Sequence, residues 1–204
     1  MKPIKKIGVL ISGSGTTLQC IIDSIKDGIL KTEIAVVISS SESAYGIKRA
    51  TQAQIPTFTT NVGGKSPTIY SAEIFQILKK HQIDLVVMAG FVKKYLPPST
   101  ELPTINIHPA LLPSFGGKGM YGRHVHQAVK NYGSKISGCT VHFVTEEYDA
   151  GPIIAQETIA VCHSDSAEQI EKNVQNLEKK VLIKVLQKFL EGKISLDQRT
   201  VVVL

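Results

Sequence analysis

The sequence predicts an α/β fold: a Rossmann-like, mostly parallel twisted sheet with helices on both faces, followed by a C-terminal antiparallel hairpin and a long helix. Three observations predict it. Short apolar runs recur along the chain, stretches between them have apolar residues at helical spacing, and two later strands lie close enough in sequence to pair. With 204 residues, 43% of them hydrophobic, the chain suits one domain with one core.

Four short apolar runs predict the parallel strands, because strands buried on both faces of a sheet are apolar throughout. These runs lie at residues 7–11, 34–38, 85–88 and 105–107. Residues 15–26 and 71–80 predict helices that cover the sheet, since their apolar side chains recur near every 3.6 residues.

The chain changes character after residue 108. Residues 109–122 are rich in Pro and Gly and predict a long loop, of a length that is usually functional inside a compact domain. Residues 134–144 and 151–161 predict two antiparallel strands joined by an acidic turn. Ser166 and Gln169 form a capping box that begins one long helix, Gly192 ends it, and the tail is too short for a further domain.

The composition excludes several classes of protein. No run approaches the roughly 18 to 20 apolar residues of a membrane helix, and the N-terminus does not resemble a signal peptide. Cys20, Cys139 and Cys162 are far apart, which indicates neither disulfides nor zinc and fits a reducing cytosol. The net charge is +6, but the basic residues are scattered, which favours a solvated surface and small anionic substrates over nucleic acid. We therefore expect a cytoplasmic protein that binds neither membranes nor nucleic acids.

A phosphate site is predicted directly after the first strand, where residues 12–19 read SGSGTTLQ. Small residues there bring backbone N–H groups and the positive end of a helix to an anion. The residues concerned, called the phosphate loop below, are Gly13, Ser14, Gly15, Thr16 and Thr17. The segment lacks both the dinucleotide fingerprint and the GK[ST] of a triphosphate loop, so a monophosphate is favoured. An ordinary strand-to-helix turn is the alternative.

Asn106 and His108 are the candidate catalytic pair, at the end of the fourth predicted strand. Because they are two residues apart on a strand, both project to one face, and Ile105 and Ile107 project to the other. An amide donor beside an imidazole can stabilise a carbonyl that becomes an oxyanion and can move a proton near neutral pH. The pair suits acyl transfer without a covalent intermediate. A buried, satisfied Asn–His pair is the alternative.

Asp149 is the candidate third catalytic residue. It lies in the acidic turn, which Gly and Pro at 151–152 hold, and its carboxylate would orient His108 and stabilise the protonated ring. The neighbouring Glu146 and Glu147 are interpreted as solvated charges without a catalytic role.

The remaining histidines are interpreted as non-catalytic. His124 and His126 follow the long loop and are interpreted as exposed polar residues, with contact to a ligand as the alternative. His142 is predicted to be a core or supporting residue. The histidines do not have the spacing of a catalytic zinc site, so we expect no metal.

These motifs together resemble the folate-dependent formyltransferase family, most closely its glycinamide ribonucleotide branch. In order they read SGSGTTLQ, MAGF, INIHPALLPSFGGKG and VHFVTEEYDAGPI, and they cover nearly the whole chain. The resemblance implies that a formyl group moves from 10-formyltetrahydrofolate, the co-substrate, to the amine of glycinamide ribonucleotide in de novo purine biosynthesis. It is compatible with a monomer or a homodimer.

The resemblance also implies a role for each residue that matches a family motif. Asn106, His108 and Asp149 would be catalytic, and the phosphate loop would bind the nucleotide phosphate. Gln175 and Glu178 would hold the glycinamide nucleotide. Folate binding is assigned to Phe91, Val92, Lys93, Lys94, Tyr95 and Leu96, and to Glu146, Glu147 and Tyr148. We expect one formyltransferase domain over residues 1–204, with a nucleotide-phosphate-binding half at 1–100 and a catalytic and folate-binding half at 101–204.

Two positions depart from the family pattern. Thr17 stands where relatives usually carry Asn, and it lacks the paired donor and acceptor of an amide. Residues 67–70 read PTIY where relatives carry an Arg, which Lys65 could replace only as a point charge.

Two alternative functions stay open at this point. Within the family, the chain could be a formyltetrahydrofolate hydrolase or a formyltransferase for methionyl-tRNA or an amino sugar. We expect neither, since the first strand begins by Ile7 and the chain stops after the long helix, which leaves no room for a regulatory or RNA-binding domain. Outside the family, it could be a non-catalytic nucleotide-binding module.

Overall fold

The computed structural model describes residues 6–98 and 102–204. The strands are β1 (Lys6–Ile11), β2 (Glu33–Ser39), β3 (Thr57–Thr59), β4 (Leu85–Met88), β5 (Thr104–His108), β6 (Ile136–Phe143), β7 (Ile153–Ala160), β8 (Ile194–Asp197) and β9 (Thr200–Val203). The helices are α1 (Thr16–Lys26), α2 (Tyr45–Gln52), α3 (Pro67–Lys80), α4 (Arg123–Tyr132) and α5 (Ala167–Leu190).

Seven strands form one sheet in the order β3-β2-β1-β4-β5-β6-β7. The first five strands of the chain pair in parallel, and β6 runs antiparallel to both β5 and β7. The predicted fold class is therefore confirmed. The strand order reverses between β1 and β4, and open α/β sheets bind ligands at such a reversal, beyond the carboxyl ends of the strands.

Apolar layers cover both faces of the sheet. On one face, α1, α4 and α5 contribute side chains such as Leu18, Val129 and Phe189 to the core. On the other face, α3 contributes Ile74 and Leu78. Each fully buried aliphatic or Phe side chain contributes about 1.5–3 kcal/mol of transfer free energy, so both layers stabilise the sheet that carries the strand ends.

The long C-terminal helix begins and ends where the sequence predicts. The Ser166 hydroxyl accepts a hydrogen bond from the Gln169 N–H, and the Gln169 side chain accepts one from the Ser166 N–H at 2.7 Å. Gly192 follows the helix with φ +68°, a left-handed conformation that Gly adopts without strain. In the described ranges no helix is both long and apolar enough to cross a membrane.

Several elements differ from the prediction. The helix predicted at 71–80 begins earlier, at Pro67, because Ser66 caps it and Pro suits a first helical turn. The sequence did not predict β3, α2 and α4. The tail, predicted only as too short for a domain, pairs with residues 194–197 as the β8–β9 hairpin.

Candidate active site

One cavity of about 590 Å³ collects the predicted site residues. Its wall comes from the phosphate loop after β1, the segment after β4, the end of β5, the loop that follows it, the β6–β7 turn and α5. Every predicted site residue lines it except Leu96, whose backbone N–H donates to the Ser71 hydroxyl. The fold thus brings together residues from both ends of the chain.

The phosphate loop joins β1 to the first turn of α1. Gly15 precedes the helix with φ +68°, and no side chain caps the first turn. A Cβ on Gly15 would lie 2.6 Å from the Cα of Gly46, so no other residue fits without movement. The Ser12 hydroxyl accepts from the Val92 N–H at 3.0 Å, which ties the loop to the segment after β4. The loop is therefore packed closely against α2, and its N–H groups can receive an anion.

His108 is held from two sides. Its ring is 3% exposed, and its Nε2–H donates to the Phe115 carbonyl at 2.9 Å. The other ring nitrogen, Nδ1, lies 3.6 Å from Oδ2 of Asp149. Because a carbonyl only accepts, Nε2 carries a proton in either charge state, and Nδ1 is the nitrogen that can gain or lose one.

Asp149 lies in a constrained turn between β6 and β7, which places its carboxylate beside His108 and His142; these three residues and Asn106 are called the cluster below. Its φ is +52°, a conformation that costs a non-glycine residue about 1–3 kcal/mol, although Asp tolerates it better than most. Its Oδ2 accepts from the Gly117 N–H at 2.8 Å, and its Oδ1 lies 3.6 Å from Nε2 of His142. A Cβ on Gly151 would lie 1.8 Å from the Phe143 carbonyl oxygen, so Gly is required there.

His142 takes a larger part in the cluster than the sequence indicates. It lies opposite Asn106 across the β5–β6 pair. Its Nδ1–H donates to the Phe143 carbonyl at 2.8 Å, so Nε2 accepts from the Asn106 amide at 3.2 Å. Burial lowers the pKa of His142, against the opposing effects of the Phe143 carbonyl and Asp149. A neutral His142 therefore fixes the Asn106 amide, whose second N–H stays available to a ligand.

The predicted exposure of His126 is wrong. His126 lies on α4, is 1% exposed and lines the cavity, whereas His124 is exposed as predicted. Desolvation, and to a lesser extent the nearby His108, lowers the pKa of His126 to about 4. Within the part of the chain that the structure describes, its Nδ1 has no hydrogen-bond partner. His126 is therefore a neutral imidazole near neutral pH.

Helix α5 contributes Gln175 and Glu178 to the wall of the cavity. Desolvation raises the pKa of Glu178 to about 8. The charge of Lys179 lowers this pKa, and the charge of Glu171 raises it further. Its carboxyl group is therefore largely protonated at neutral pH and can both donate and accept a hydrogen bond.

Lys65 does not take the place of the missing Arg. Its Nζ lies 2.7 Å from both carboxylate oxygens of Glu73, and it is not in the wall of the cavity. The cationic side chains of the wall are those of Lys93, Lys94 and Lys118. Among residues 6–98 and 102–204, no group of three or more His, Cys, Asp or Glu is arranged to hold a metal ion.

Comparison with known proteins identifies the family. The family model described as formyl transferase matches residues 5–186, most of the chain. The chain belongs to the formyl transferase family. This membership confirms the resemblance inferred from the motifs.

Within the formyl transferase family, the chain is similar to three proteins over 95% or more of its length. It is 38% identical to phosphoribosylglycinamide formyltransferase of Haemophilus influenzae over 197 residues. This aligned region covers 95% of this chain and 91% of that protein. The crystal structure of glycinamide ribonucleotide transformylase 1 from Symbiobacterium toebii matches with a TM-score of 0.90 and 34% identity, over 100% of this chain and 96% of that one. A formyltetrahydrofolate deformylase from Pseudomonas syringae matches with a TM-score of 0.83 and 29% identity, over 100% of this chain and 67% of that one.

Proposed function

We propose that this formyl transferase moves the formyl group of 10-formyltetrahydrofolate to the amine of glycinamide ribonucleotide, as a step of de novo purine biosynthesis. The products are formylglycinamide ribonucleotide and tetrahydrofolate. One observation carries the proposal. Oδ2 of Asp149 lies 3.6 Å from Nδ1 of His108, and Asn106 lies on the same strand as His108. All three residues line a cavity whose wall also contains the phosphate loop. The residues assigned to acyl transfer and those assigned to phosphate binding thus line one cavity.

The two substrates would occupy different ends of the cavity. The nucleotide phosphate would bind the N–H groups of the phosphate loop, and Gln175 and Glu178 would contact the rest of the nucleotide. The folate would lie against the segments at 91–95 and 146–148, whose apolar and aromatic side chains suit a pterin ring. The cavity volume of about 590 Å³ is in the range of small-molecule sites.

The reaction follows from the positions of Asn106, His108 and Asp149. The neutral amine attacks the formyl carbon, a C–N bond forms, and the carbonyl electrons move onto the oxygen. The free N–H of Asn106 and the protonated His108 stabilise this oxyanion, and Asp149 balances the charge of the ring. A proton then moves from the attacking nitrogen to N10 of the folate, the C–N10 bond breaks, and tetrahydrofolate leaves. The protein forms no covalent bond to the substrate.

An assay of tetrahydrofolate release tests the proposal. The protein is incubated with 10-formyltetrahydrofolate, with and without glycinamide ribonucleotide. Release that requires the nucleotide supports the transferase. Release without the nucleotide would instead indicate a hydrolase, the activity that the Pseudomonas syringae structure carries in its name. No release under either condition would leave a non-catalytic nucleotide-binding module and refute the proposal.

A further inference from the structure

Arg49 contacts the phosphate loop from outside the cavity. It lies on α2, and its Nε–H donates to the Ser14 carbonyl at 2.9 Å. Its Nη1–H donates to the side-chain oxygen of Gln19 at 3.1 Å. Arg49 does not line the cavity, so it does not belong to the residues assigned to substrate binding.

The surroundings of Arg49 hold its guanidinium in place. The guanidinium carbon lies 5.0 Å from the centroid of the Tyr45 ring, within the range of a cation–π contact. The backbone of α2 is also joined to the loop, because the Gly46 N–H donates to the Gly13 carbonyl at 3.1 Å. The close approach of Gly15 to Gly46 brings the helix and the loop into direct contact. The hydrogen bonds of Arg49 therefore join α2 to the phosphate loop and the start of α1, against which α2 is already packed.

We propose that Arg49 is a positioning residue for the nucleotide site, which holds the Ser14–Gly15 peptide so that its N–H faces the bound phosphate. This inference rests on the proposed function. In a trans peptide the C=O and the following N–H point in opposite directions. A Ser14 carbonyl that faces Arg49 therefore turns the Gly15 N–H away from Arg49, toward the cavity.

The chemistry of the side chain explains why an arginine stands at this position. A guanidinium donates in two fixed directions at once, here to a carbonyl and to an amide oxygen, and it keeps its charge. A lysine ammonium is a point charge on a flexible stem and does not fix the plane of the peptide. The chain has 23 lysines and arginines, of which only Arg49, Arg123 and Arg199 are arginines. One of these few arginines thus contacts the predicted phosphate loop.

Three variants test the inference: Arg49→Met, Arg49→Lys and Lys48→Met. Lys48 is a matched control, because it is an exposed cation on the same helix and lies 5.6 Å from the centroid of the same Tyr45 ring. Lys48→Met removes the same charge as Arg49→Met. Thermal denaturation first establishes that each variant is folded. Calorimetry then measures the Kd of glycinamide ribonucleotide, and steady-state kinetics measure kcat and both KM values.

We expect Arg49→Met to raise the Kd and the KM of the nucleotide about tenfold, because the variant loses the charge-assisted hydrogen bond that orients the Ser14 carbonyl and with it the Gly15 N–H. Its kcat and its KM for 10-formyltetrahydrofolate should change by less than about twofold, since the chemical step and the folate contacts lie elsewhere. Arg49→Lys should also lose nucleotide affinity although the charge is kept. Lys48→Met should bind the nucleotide as the wild type does, to within about twofold.

Other results overturn the inference. An unchanged nucleotide Kd in Arg49→Met, or an equal loss in Lys48→Met, would show that Arg49 does not position the loop. If Arg49→Met does not fold, a folded Arg49→Lys decides: weakened nucleotide binding supports the inference, and unchanged binding refutes it. A wild-type protein that binds no glycinamide ribonucleotide would instead refute the proposed function on which the inference rests.

Discussion

His108 is the residue whose removal should affect the chemical step most. Its Nε2–H is held by the Phe115 carbonyl, and its Nδ1 faces Asp149. In the proposed mechanism, the His108 ring acts mainly on the oxyanion of the transition state. His108→Ala should therefore lower kcat by about two or more orders of magnitude and leave the Kd of glycinamide ribonucleotide largely unchanged. Steady-state kinetics and calorimetry check both expectations.

The control for this variant is His124→Ala. His124 is exposed on α4, so this variant should keep the wild-type kcat. A His108→Ala protein with unchanged turnover would remove His108 from the mechanism.

His126 should make the stability of the protein depend on pH. Its pKa is about 4 in the folded protein against 6.5 for an ordinary histidine, because it is desolvated. As the pH falls from 6.5 to 4, the unfolded chain binds a proton that the folded state does not. Stability is therefore fully present above pH 6.5 and decreases through this window, by about 3 kcal/mol in total.

The variant His126→Gln, which cannot titrate, should remove this part of the pH dependence. Urea unfolding of the wild type and the variant at several pH values between 4 and 7 measures the two slopes. His124→Gln, at an exposed position, should keep the wild-type slope. Parallel curves for the wild type and His126→Gln would contradict a buried, neutral His126.

Sequence alone could place some of these residues and not others. Asn106 and His108 could be assigned to one face because the alternation of a strand is local. The partnership of Asn106 with His142 depends on the register of β5 against β6, between residues 36 positions apart. The burial of His126 depends on α4, a helix that the sequence did not predict.

The predicted and unpredicted elements differ in the length and strength of their apolar pattern. The four predicted parallel strands are buried on both faces, and β1, β2 and β4 contain contiguous, largely apolar runs that the sequence reveals, whereas β5 has Asn106 between its two isoleucines. By contrast, α4 buries only Val125, His126 and Val129, and α2 has eight residues, so neither gives a clear period. The hairpin of β8 and β9 has four residues in each strand, too few for alternation to be distinctive.

The capping box of α5 should contribute measurably to stability. Ser166→Ala removes the acceptor for the Gln169 N–H and should lower the free energy of unfolding by about 1 kcal/mol. Urea denaturation measures this loss. Both KM values should stay unchanged, because Gln175 and Glu178 lie more than two turns into the helix. Ser164→Ala, at an exposed position just before the cap, is the control, and an equal loss there would refute the assignment.

At the scale of the whole molecule, the cavity crosses the predicted division of the chain. Phe91 and Tyr95, assigned to folate binding, belong to the first half, and Gln175 and Glu178, assigned to the nucleotide, belong to the second. Each predicted half thus contributes to the cavity residues that are assigned to the substrate of the other half. The division at residue 100 stays a prediction, as do the cytosolic location and the monomeric or dimeric state. The fold class was predictable from local periodicity, whereas this mixing depends on contacts across residue 100, such as the pairing of Met88 in β4 with Asn106 in β5.

A nucleotide that contacts both halves should stabilise them together. The phosphate loop precedes α1, whereas Gln175 and Glu178 lie on α5, so unfolding of either part should release the ligand. Glycinamide ribonucleotide at about 100 times its Kd should therefore raise the free energy of unfolding by about 2.7 kcal/mol in a single transition. Urea denaturation monitored by circular dichroism measures the shift, and free glycinamide, which lacks the ribose and the phosphate, should give none. Two transitions, of which the ligand shifts only one, would show that the halves unfold independently and that the nucleotide binds to one of them alone.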